Sequence, residues 1–337
     1  MSTPVLEVTD LVKHFKVQAG LGDSSDVVRA VDGVSLQINR GEVLGLVGES
    51  GSGKSTVAKC IMRLLDPTAG TIKLNGTDIT HQSRRQLRSL RREVHMVFQD
   101  PYSSLNPRMT CGQIVEEPLR HHRIGSRSER RDRVGDLFEK VGLAPEMRSR
   151  YPHELSGGQR QRIGLARALS VEPSLLIADE PISALDVSVQ ASIVNLLLEL
   201  QQDMGFSCLF VAHDLAAVEF VSDRIAVMYL GKIVEATDRA RLFAGPRMPY
   251  TQALLSAVPV PDPVEQRSRE RIVLSGDLPS PINPPSGCTF RTRCPIAEDR
   301  CADTVPDLVP VEDDHVAACH LIGPNGEAPQ VRATTPS

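Results

Sequence analysis

The chain has 337 residues, 41% of them hydrophobic, which is typical of a globular protein that buries its own core. Because 42 acidic side chains outnumber 38 basic ones, the net charge is -4 and gives no reason to expect nucleic-acid binding. The longest apolar runs fall well short of the roughly 20 residues that cross a bilayer, and the N-terminus has no signal-peptide pattern. We therefore expect a cytoplasmic protein that reaches a membrane only through partners, with thiols or metal ligands in place of disulfides.

The first forty residues predict a small antiparallel sheet. Residues 6–8 and 34–38 alternate apolar and polar side chains, as half-buried strands do. Phe15 comes before the glycine-rich loop of the chain, where an aromatic ring can stack on a purine base. The same residue is compatible with a place in the hydrophobic core, so the local sequence leaves both interpretations open.

Residues 43–62 predict a buried strand, a phosphate-binding loop and a helix. The loop consists of Gly48, Glu49, Ser50, Gly51, Ser52, Gly53, Lys54, Ser55 and Thr56. Its glycines allow backbone N–H groups to surround an anion, and the following helix directs its positive end to the same place. We expect Lys54 to bind the β- and γ-phosphates and the Ser55 hydroxyl to ligate Mg²⁺.

A second candidate anion site follows a predicted helical insert. A strand at 94–98 ends at Gln99, whose amide is suited to Mg²⁺ or to the attacking water, although most glutamines are surface residues. Helices and turns fill residues 100–171, and within them a glycine-containing segment precedes a helix with Ser156 as its predicted N-cap. The residues of this segment are Ser156, Gly157, Gly158 and Gln159. Two anion sites in one chain indicate a triphosphate held between two subunits.

Two later strands end in polar residues. The apolar run 175–178 leads into Asp179 and Glu180, and ligands of open α/β sheets bind at the carboxyl ends of strands. We expect Asp179 to hold Mg²⁺ and Glu180 to act as general base on the attacking water. A tight turn at 183–186 follows, and a strand at 208–212 ends at His213, which is either structural or a contact of the γ-phosphate.

Residues 5–245 resemble the ATP-binding subunit of ABC transporters. The resemblance rests on the loop 48–56, Gln99, the sequence Leu-Ser-Gly-Gly-Gln at 155–159, the strand 175–180, the turn 183–186 and His213. It implies an α/β fold, namely a P-loop NTPase core with a mostly parallel sheet, an N-terminal antiparallel β subdomain, a helical subdomain inserted at about 100–171 and a small C-terminal extension.

The same resemblance implies a head-to-tail dimer that closes around two ATP molecules. One subunit would supply Lys54, Ser55, Gln99, Asp179, Glu180 and His213, with Mg²⁺ on Ser55, Gln99 and Asp179, and the other would supply residues 156–159. The adenine-stacking aromatic of the family falls on Phe15, and the turn residue Asp186 is assigned to nucleotide binding.

Residues 99–109 and 249–259 resemble the oligopeptide/dipeptide importer branch, which also includes nickel importers. Met248 stands where that branch usually has histidine. The resemblance implies import of peptides with two permease subunits, a second ATPase subunit that is a paralogue or the same chain, and an extracytoplasmic binding protein. It places the chain at the cytoplasmic face of the cell membrane. The alternatives are an ATPase for nickel or another small solute, a soluble non-transport ABC ATPase, and a regulatory subunit that binds ATP without hydrolysing it.

The C-terminal part predicts a proline-rich extended connection at 246–286, a cysteine-rich module at 287–322 and a disordered tail at 323–337. Cys288, Cys294, Cys301 and Cys319 favour a metal site over buried thiols, and four thiolates suit zinc or iron–sulfur. Their wide spacing favours a cubane, and residues 287–295 resemble a region that carries such a cluster in some peptide-importer ATPases. We predict a 4Fe–4S cluster with a structural role, with zinc and unliganded thiols as alternatives.

Overall fold

The computed structural model describes residues 3–18, 25–83, 85–259, 262, 267 and 271–331. These residues belong to two compact units, each assembled from separate stretches of the chain. The first unit falls within Met1–Glu7, Gln37–Val43 and Lys73–Val211. The second falls within Val8–Leu36, Leu44–Ile72 and Ala212–Ser337. The N-terminal sequence therefore contributes to both units.

The secondary structure alternates strands and helices along most of the chain. The strands β1 to β12 are Leu6–Gln18, Ser25–Ile38, Val43–Val47, Ala69–Leu74, Thr77–Asp78, Val94–Val97, Leu175–Asp179, Ser207–Ala212, Arg224–Tyr229, Lys232–Asp238, Val309–Glu312 and His315–Ala317. The helices α1 to α11 are Lys54–Ile61, Leu87–Leu90, Pro101–Ser104, Cys111–His121, Arg127–Lys140, Gly157–Leu169, Val187–Met204, Leu215–Val221, Arg239–Ala244, Pro249–Ser256 and Arg300–Asp303. Short 3-10 helices occupy Pro145–Ser149 and Pro152–Glu154.

In the first unit, β6, β7 and β8 are parallel neighbours. Every residue of β7 and β8 is buried, as expected for parallel strands covered on both faces. The carboxyl ends of parallel strands lie at the same edge of a sheet. The residues that follow β6 and β7, including Gln99 and Glu180, therefore meet at that edge.

The helices predicted at 100–171 are present in the first unit. α4 packs against α5 and α6, and α3 also packs against α6. Capping boxes start three of these helices, with Thr110 and Gln113 at α4, Ser126 and Glu129 at α5, and Ser156 and Gln159 at α6. The apolar side chains of α4 and α5 face inward, and Leu119 and Phe138 are fully buried. α6 thus packs against neighbouring helices of the insert.

In the second unit, β3 pairs in parallel with β9, and α1 follows β3 directly through the glycine-rich loop. β9 pairs antiparallel with β10, β10 with β12, and β12 with β11. In another sheet, β2, β1 and β4 are neighbours in that order. The C-terminal strands β11 and β12 thus extend the sheet that carries the loop.

The predicted extended connection at 246–286 contains a helix, α10. Proline is tolerated at the first position of a helix, and Pro249 begins α10 in this way. Tyr250 and Thr251 on α10 are fully buried, so this part of the connection packs in the core. Residues 271–286 have neither helix nor strand. The domain boundaries stay a prediction, and part of the predicted disordered tail, 332–337, lies outside the described residues.

Across the part of the chain that the structure describes, no helix is both long and apolar enough to cross a bilayer.

Candidate nucleotide-binding site

The loop between β3 and α1 needs glycine for two separate reasons. A Cβ atom on Gly48 would lie 2.1 Å from the Met228 carbonyl oxygen, so only glycine allows this close approach. Gly53 has φ 105°, and a Cβ atom there would lie 2.1 Å from the Ala30 carbonyl oxygen. Ser52 O also accepts a hydrogen bond from the backbone N–H of Gly231 at 2.9 Å. Neighbouring strands therefore hold the loop in a tight backbone conformation.

Lys54 is buried inside this loop. Its side chain, on a residue only 3% exposed, donates to the carbonyl oxygens of Gly48 and Glu49 at 2.7 and 2.9 Å and to Ser52 Oγ at 3.4 Å. An ammonium group encircled by loop atoms, next to the positive end of α1, is a favourable environment for phosphate. Ser55 follows at the start of α1 and is half-buried.

Glu49 makes contacts that the sequence analysis did not foresee. Its backbone N–H donates to the Tyr250 hydroxyl at 2.9 Å. Its carboxylate accepts two hydrogen bonds from the Arg293 guanidinium, at 2.5 and 3.0 Å. These bonds raise the pKa of Arg293 above its usual value, so the guanidinium stays charged. No local pattern indicates either partner, because both are about 200 or more positions away in the sequence.

Gln99, Asp179 and Glu180 form the strand-end group of the first unit. Asp179 ends β7 and is buried, with 4% of its surface exposed. Glu180 has φ 46°, an uncommon conformation for a residue other than glycine, and its N–H donates to the Val211 carbonyl oxygen at 3.0 Å. The Gln99 side-chain amide donates to Glu180 Oε2 at 2.9 Å. The structure thus brings Gln99 and Glu180 together, as their places after β6 and β7 predicted.

The segment 156–159 begins α6, and Ser156 is its N-cap as predicted. Ser156 Oγ accepts from the Gln159 N–H at 3.3 Å, and the Gln159 side chain accepts from the Ser156 N–H at 3.0 Å. Cβ atoms on Gly157 and Gly158 would lie 3.1 Å from Leu185 and 2.6 Å from Val189. The two glycines therefore allow the helix start to approach the turn before α7. Ser156 itself is exposed.

The other three residues predicted to contact the nucleotide lie on different parts of the chain. Asp186 is the N-cap residue of α7 and is exposed, and His213 is exposed just after β8. Phe15 lies on β1 and is half-buried, with Lys13 Nζ at 4.9 Å from its ring centroid. A cation over one ring face is compatible with either role of Phe15.

The four C-terminal cysteines are buried or half-buried free thiols. Cys288 N–H donates to the Cys301 carbonyl oxygen at 2.8 Å. Burial, with a smaller contribution from other thiols of the group, raises the pKa of Cys294 and Cys319 to about 11. Of the nearby histidines, His315 bonds to Glu235 at 2.8 Å and His320 to the Thr304 carbonyl oxygen at 2.9 Å.

These thiols do not form a ready site for a single metal ion. Within the described ranges, no three His, Cys, Asp or Glu side chains are grouped closely enough to hold one. The predicted iron–sulfur site is therefore not supported by the geometry of the thiols.

Comparison with known proteins identifies the family. A family model described as ABC transporter matches residues 31–183, and one described as the C-terminal region of oligopeptide/dipeptide transporters matches residues 234–301. The chain is 55% identical, over 97% of its length and 93% of the relative, to a probable peptide ABC transporter ATP-binding protein, y4tS, of Sinorhizobium fredii. It is 51% identical to the oligopeptide transport ATP-binding protein AppF of Bacillus subtilis, over 94% of this chain and 97% of the relative. The chain belongs to the ABC transporter ATP-binding proteins of the oligopeptide/dipeptide branch.

A solved structure agrees with this family. The dimeric ATP-binding cassette MJ0796, in a post-hydrolysis state bound to ADP and Pi, is 31% identical with a TM-score of 0.63, covering 69% of this chain and 98% of that one. The predicted fold is confirmed: an N-terminal antiparallel β subdomain, a mixed and mostly parallel core sheet, and a helical insert. As an ABC ATPase, the chain hydrolyses ATP to drive transport.

Proposed function

We propose that this ABC ATPase powers the import of peptides by closing on a second ATPase subunit around ATP. The relatives with 51% and 55% identity are named as peptide or oligopeptide transport proteins. The observation that carries the mechanism is the hydrogen bond from Gln99 to Glu180 at 2.9 Å, because it fixes the carboxylate next to the buried Asp179. A fixed carboxylate at this strand end suits a general base for the attacking water.

In this proposal the loop 48–56 binds the triphosphate. Backbone N–H groups and Lys54 stabilise the charge that develops on the γ-phosphate during hydrolysis. Ser55, Gln99 and Asp179 are the residues that would hold Mg²⁺, and a bound Mg²⁺ would neutralise phosphate charge. His213 contacts the γ-phosphate, Phe15 stacks on the adenine, and Asp186 belongs to the nucleotide site.

The second subunit supplies the start of α6. Ser156 is exposed at the N-terminus of α6. The first N–H groups of this helix, those of Gly157 and Gly158, suit an anion of another chain. Gln159 keeps the cap in place through its bonds to Ser156. The dimeric form of the cassette MJ0796 supports this part of the proposal.

We further propose that two permease subunits and an extracytoplasmic binding protein complete the transporter, with this chain at the cytoplasmic face of the membrane. Residues 99–109 are the contact with a permease. The exposed Tyr102, on α3, lies in this segment, and the Arg160 guanidinium is 5.5 Å from its ring centroid. The ATPase domain is assigned to 5–245, and nucleic acid has no part in the mechanism.

The test is transport by the assembled complex in proteoliposomes. We expect ATP-dependent uptake of short peptides and faster ATP hydrolysis when the peptide-loaded binding protein is added. The matched control is the same complex with Lys54→Ala, which should take up no peptide. ATP-driven uptake of nickel with no uptake of peptides would contradict the peptide assignment and favour the nickel alternative.

For the cysteine-rich module, we propose that Cys288, Cys294, Cys301 and Cys319 hold a 4Fe–4S cluster with a structural role. The support is the resemblance of residues 287–295 to cluster-bearing regions of some peptide-importer ATPases, since the described side chains show no grouped metal ligands. Iron and sulfide analysis after anaerobic purification is the test. The control is the Cys60→Ser variant, which changes a buried cysteine outside the group of four. About four irons per chain are expected. One zinc per chain, or no iron in a folded protein, would refute the cluster.

A further inference from the structure

The cysteine-rich module contacts the phosphate-binding loop directly, through one ion pair. The Arg293 guanidinium donates through both terminal nitrogens to the two carboxylate oxygens of Glu49, at 2.5 and 3.0 Å. The Arg293 side chain is 8% exposed and that of Glu49 is 28% exposed. A bidentate pair of this kind fixes distance and orientation, whereas a single-point contact fixes distance alone.

An aromatic cluster lies next to the ion pair of Glu49 and Arg293. The rings of Tyr229, Tyr250 and Phe290 are fully buried, with centroids 4.7 to 5.4 Å apart. Phe290 precedes Arg293 by one turn, and Tyr250 accepts the hydrogen bond from Glu49 N–H at 2.9 Å. Both the backbone and the side chain of Glu49 are therefore fixed by residues of the C-terminal part.

The fixed residue Glu49 is also a partner of Lys54. Its carbonyl oxygen accepts from Lys54 Nζ at 2.9 Å, beside the Gly48 carbonyl oxygen at 2.7 Å. Leu278 also lies close to the loop, since a Cβ atom on Gly51 would be 3.4 Å from its Cδ2. Arg293, Glu49 and Lys54 thus form a continuous series of contacts from the cysteine-rich module to the proposed phosphate-binding ammonium.

We propose that Arg293 is a positioning residue for ATP binding, which holds the first half of the loop 48–56 in its nucleotide-binding conformation through Glu49. The proposal rests on the proposed role of this loop. A loop that is ordered before binding loses less conformational freedom when the phosphates arrive, so affinity rises. Arg293 does not touch the nucleotide in this role, and saturating ATP should restore the rate.

The first test compares Arg293→Gln with Arg291→Gln in the full-length chain. Arg291 lies on the same segment, but its guanidinium donates to Ser286 and not to the loop. We expect Arg293→Gln to raise the Kd for ATP by about three- to tenfold, with kcat at saturating ATP within about twofold of the original. Arg291→Gln should leave the Kd unchanged. An unchanged Kd in Arg293→Gln, or an equal rise in both variants, would overturn the proposal.

A second test measures the coupling between the two partners. Glu49→Gln should weaken ATP binding by a similar factor, and the double variant Glu49→Gln with Arg293→Gln should be no weaker than either single variant. Arg293→Lys keeps the charge with a single donor group and should give an intermediate Kd. Fully additive effects of the two single variants would contradict a shared action, and so would a normal Kd in Glu49→Gln.

These measurements separate the proposal from the assignment of the loop. Lys54→Ala serves as the reference for that assignment. If Lys54→Ala binds ATP normally, the loop assignment fails, whatever Arg293 does. If Lys54→Ala loses binding and Arg293→Gln does not, the loop assignment stands and the positioning role is wrong.

Discussion

The two helix starts that the sequence analysis selected for anions, those of α1 and α6, are completed in different ways. The N-cap of α1 is Gly53, which has no side chain with which to cap the helix. The N-cap of α6 is Ser156, which forms a capping box with Gln159. The first helix start therefore has no side-chain cap, whereas the second is capped by its own residues. This difference agrees with the proposal that α1 binds the phosphates within one chain and that α6 faces a partner chain.

Glu180→Gln should have the largest effect on ATP hydrolysis. It tests the hydrolysis step without changing either helix start. We expect hydrolysis in the assembled complex to fall about 100- to 10,000-fold, because the general base is lost while the phosphate contacts remain. ATP binding should persist, and the dimer should stay closed, as seen by size-exclusion chromatography with ATP. Glu199→Gln, on an exposed position of α7, is the control. Near-normal hydrolysis by the Glu180→Gln variant would show that this carboxylate is not the general base.

Ser156→Arg tests whether the start of α6 completes the site of the opposite subunit. The larger, charged side chain should block closure and lower hydrolysis by about 100-fold, because the opposite site is left without its donors. ATP binding to the chain itself should change by less than about twofold, measured by equilibrium titration. Ser128→Arg, at an exposed position of α5, controls for the added charge. Normal hydrolysis with the change in both subunits would show that α6 does not complete the site.

Lys54→Ala tests whether the start of α1 binds the phosphates of ATP. Removing a buried ammonium that the loop holds in place should weaken ATP binding by about 10- to 100-fold, since charge-assisted bonds to phosphate are lost. The measurement is the Kd for ATP, with the exposed Lys59→Ala of the same helix as the control. Equal affinities of the two variants would be incompatible with our interpretation of α1.

Ser156→Ala gives the smallest effect and sharpens the difference between the helix starts. Loss of the capping side chain should lower the free energy of unfolding by about 1 kcal/mol, since a helix N-cap is removed. Chemical denaturation measures this change, and Ser156→Asp, which can still cap, should recover most of it. A stability equal to that of the original chain would mean that the cap contributes nothing to α6.

The features predicted correctly from sequence are those encoded in short segments. The order of strand, loop and helix at 43–62, the acidic end of β7 and the N-cap Ser156 each follow from residues within one turn or one strand end. The meeting of Gln99 and Glu180 follows from the topology of parallel strands. Local chemistry and one topological rule were sufficient for this much of the candidate site.

What sequence reasoning missed depends on distant contacts. Tyr250 and Arg293 bind Glu49 across 201 and 244 positions, and no spacing rule connects such residues. The prolines around α10 predicted an extended connection, but burial of Tyr250 favours a helix that begins at Pro249. His315, which is close to Cys319 in the sequence, bonds to Glu235, which is 80 positions away. In each case tertiary packing decided the outcome.

The pair between Glu49 and Arg293 also sets an order of events during synthesis. Glu49 leaves the ribosome 244 residues before Arg293, so the nascent loop lacks this partner for most of translation. Met228, Gly231 and Tyr250, which also contact the loop, emerge late as well. Because chains emerge from the N-terminus first, at about 5–20 residues per second, the full affinity for ATP should develop only near the end of translation. A ribosome stalled before residue 293 would then carry a chain with a complete loop sequence but without the loop's full affinity for ATP.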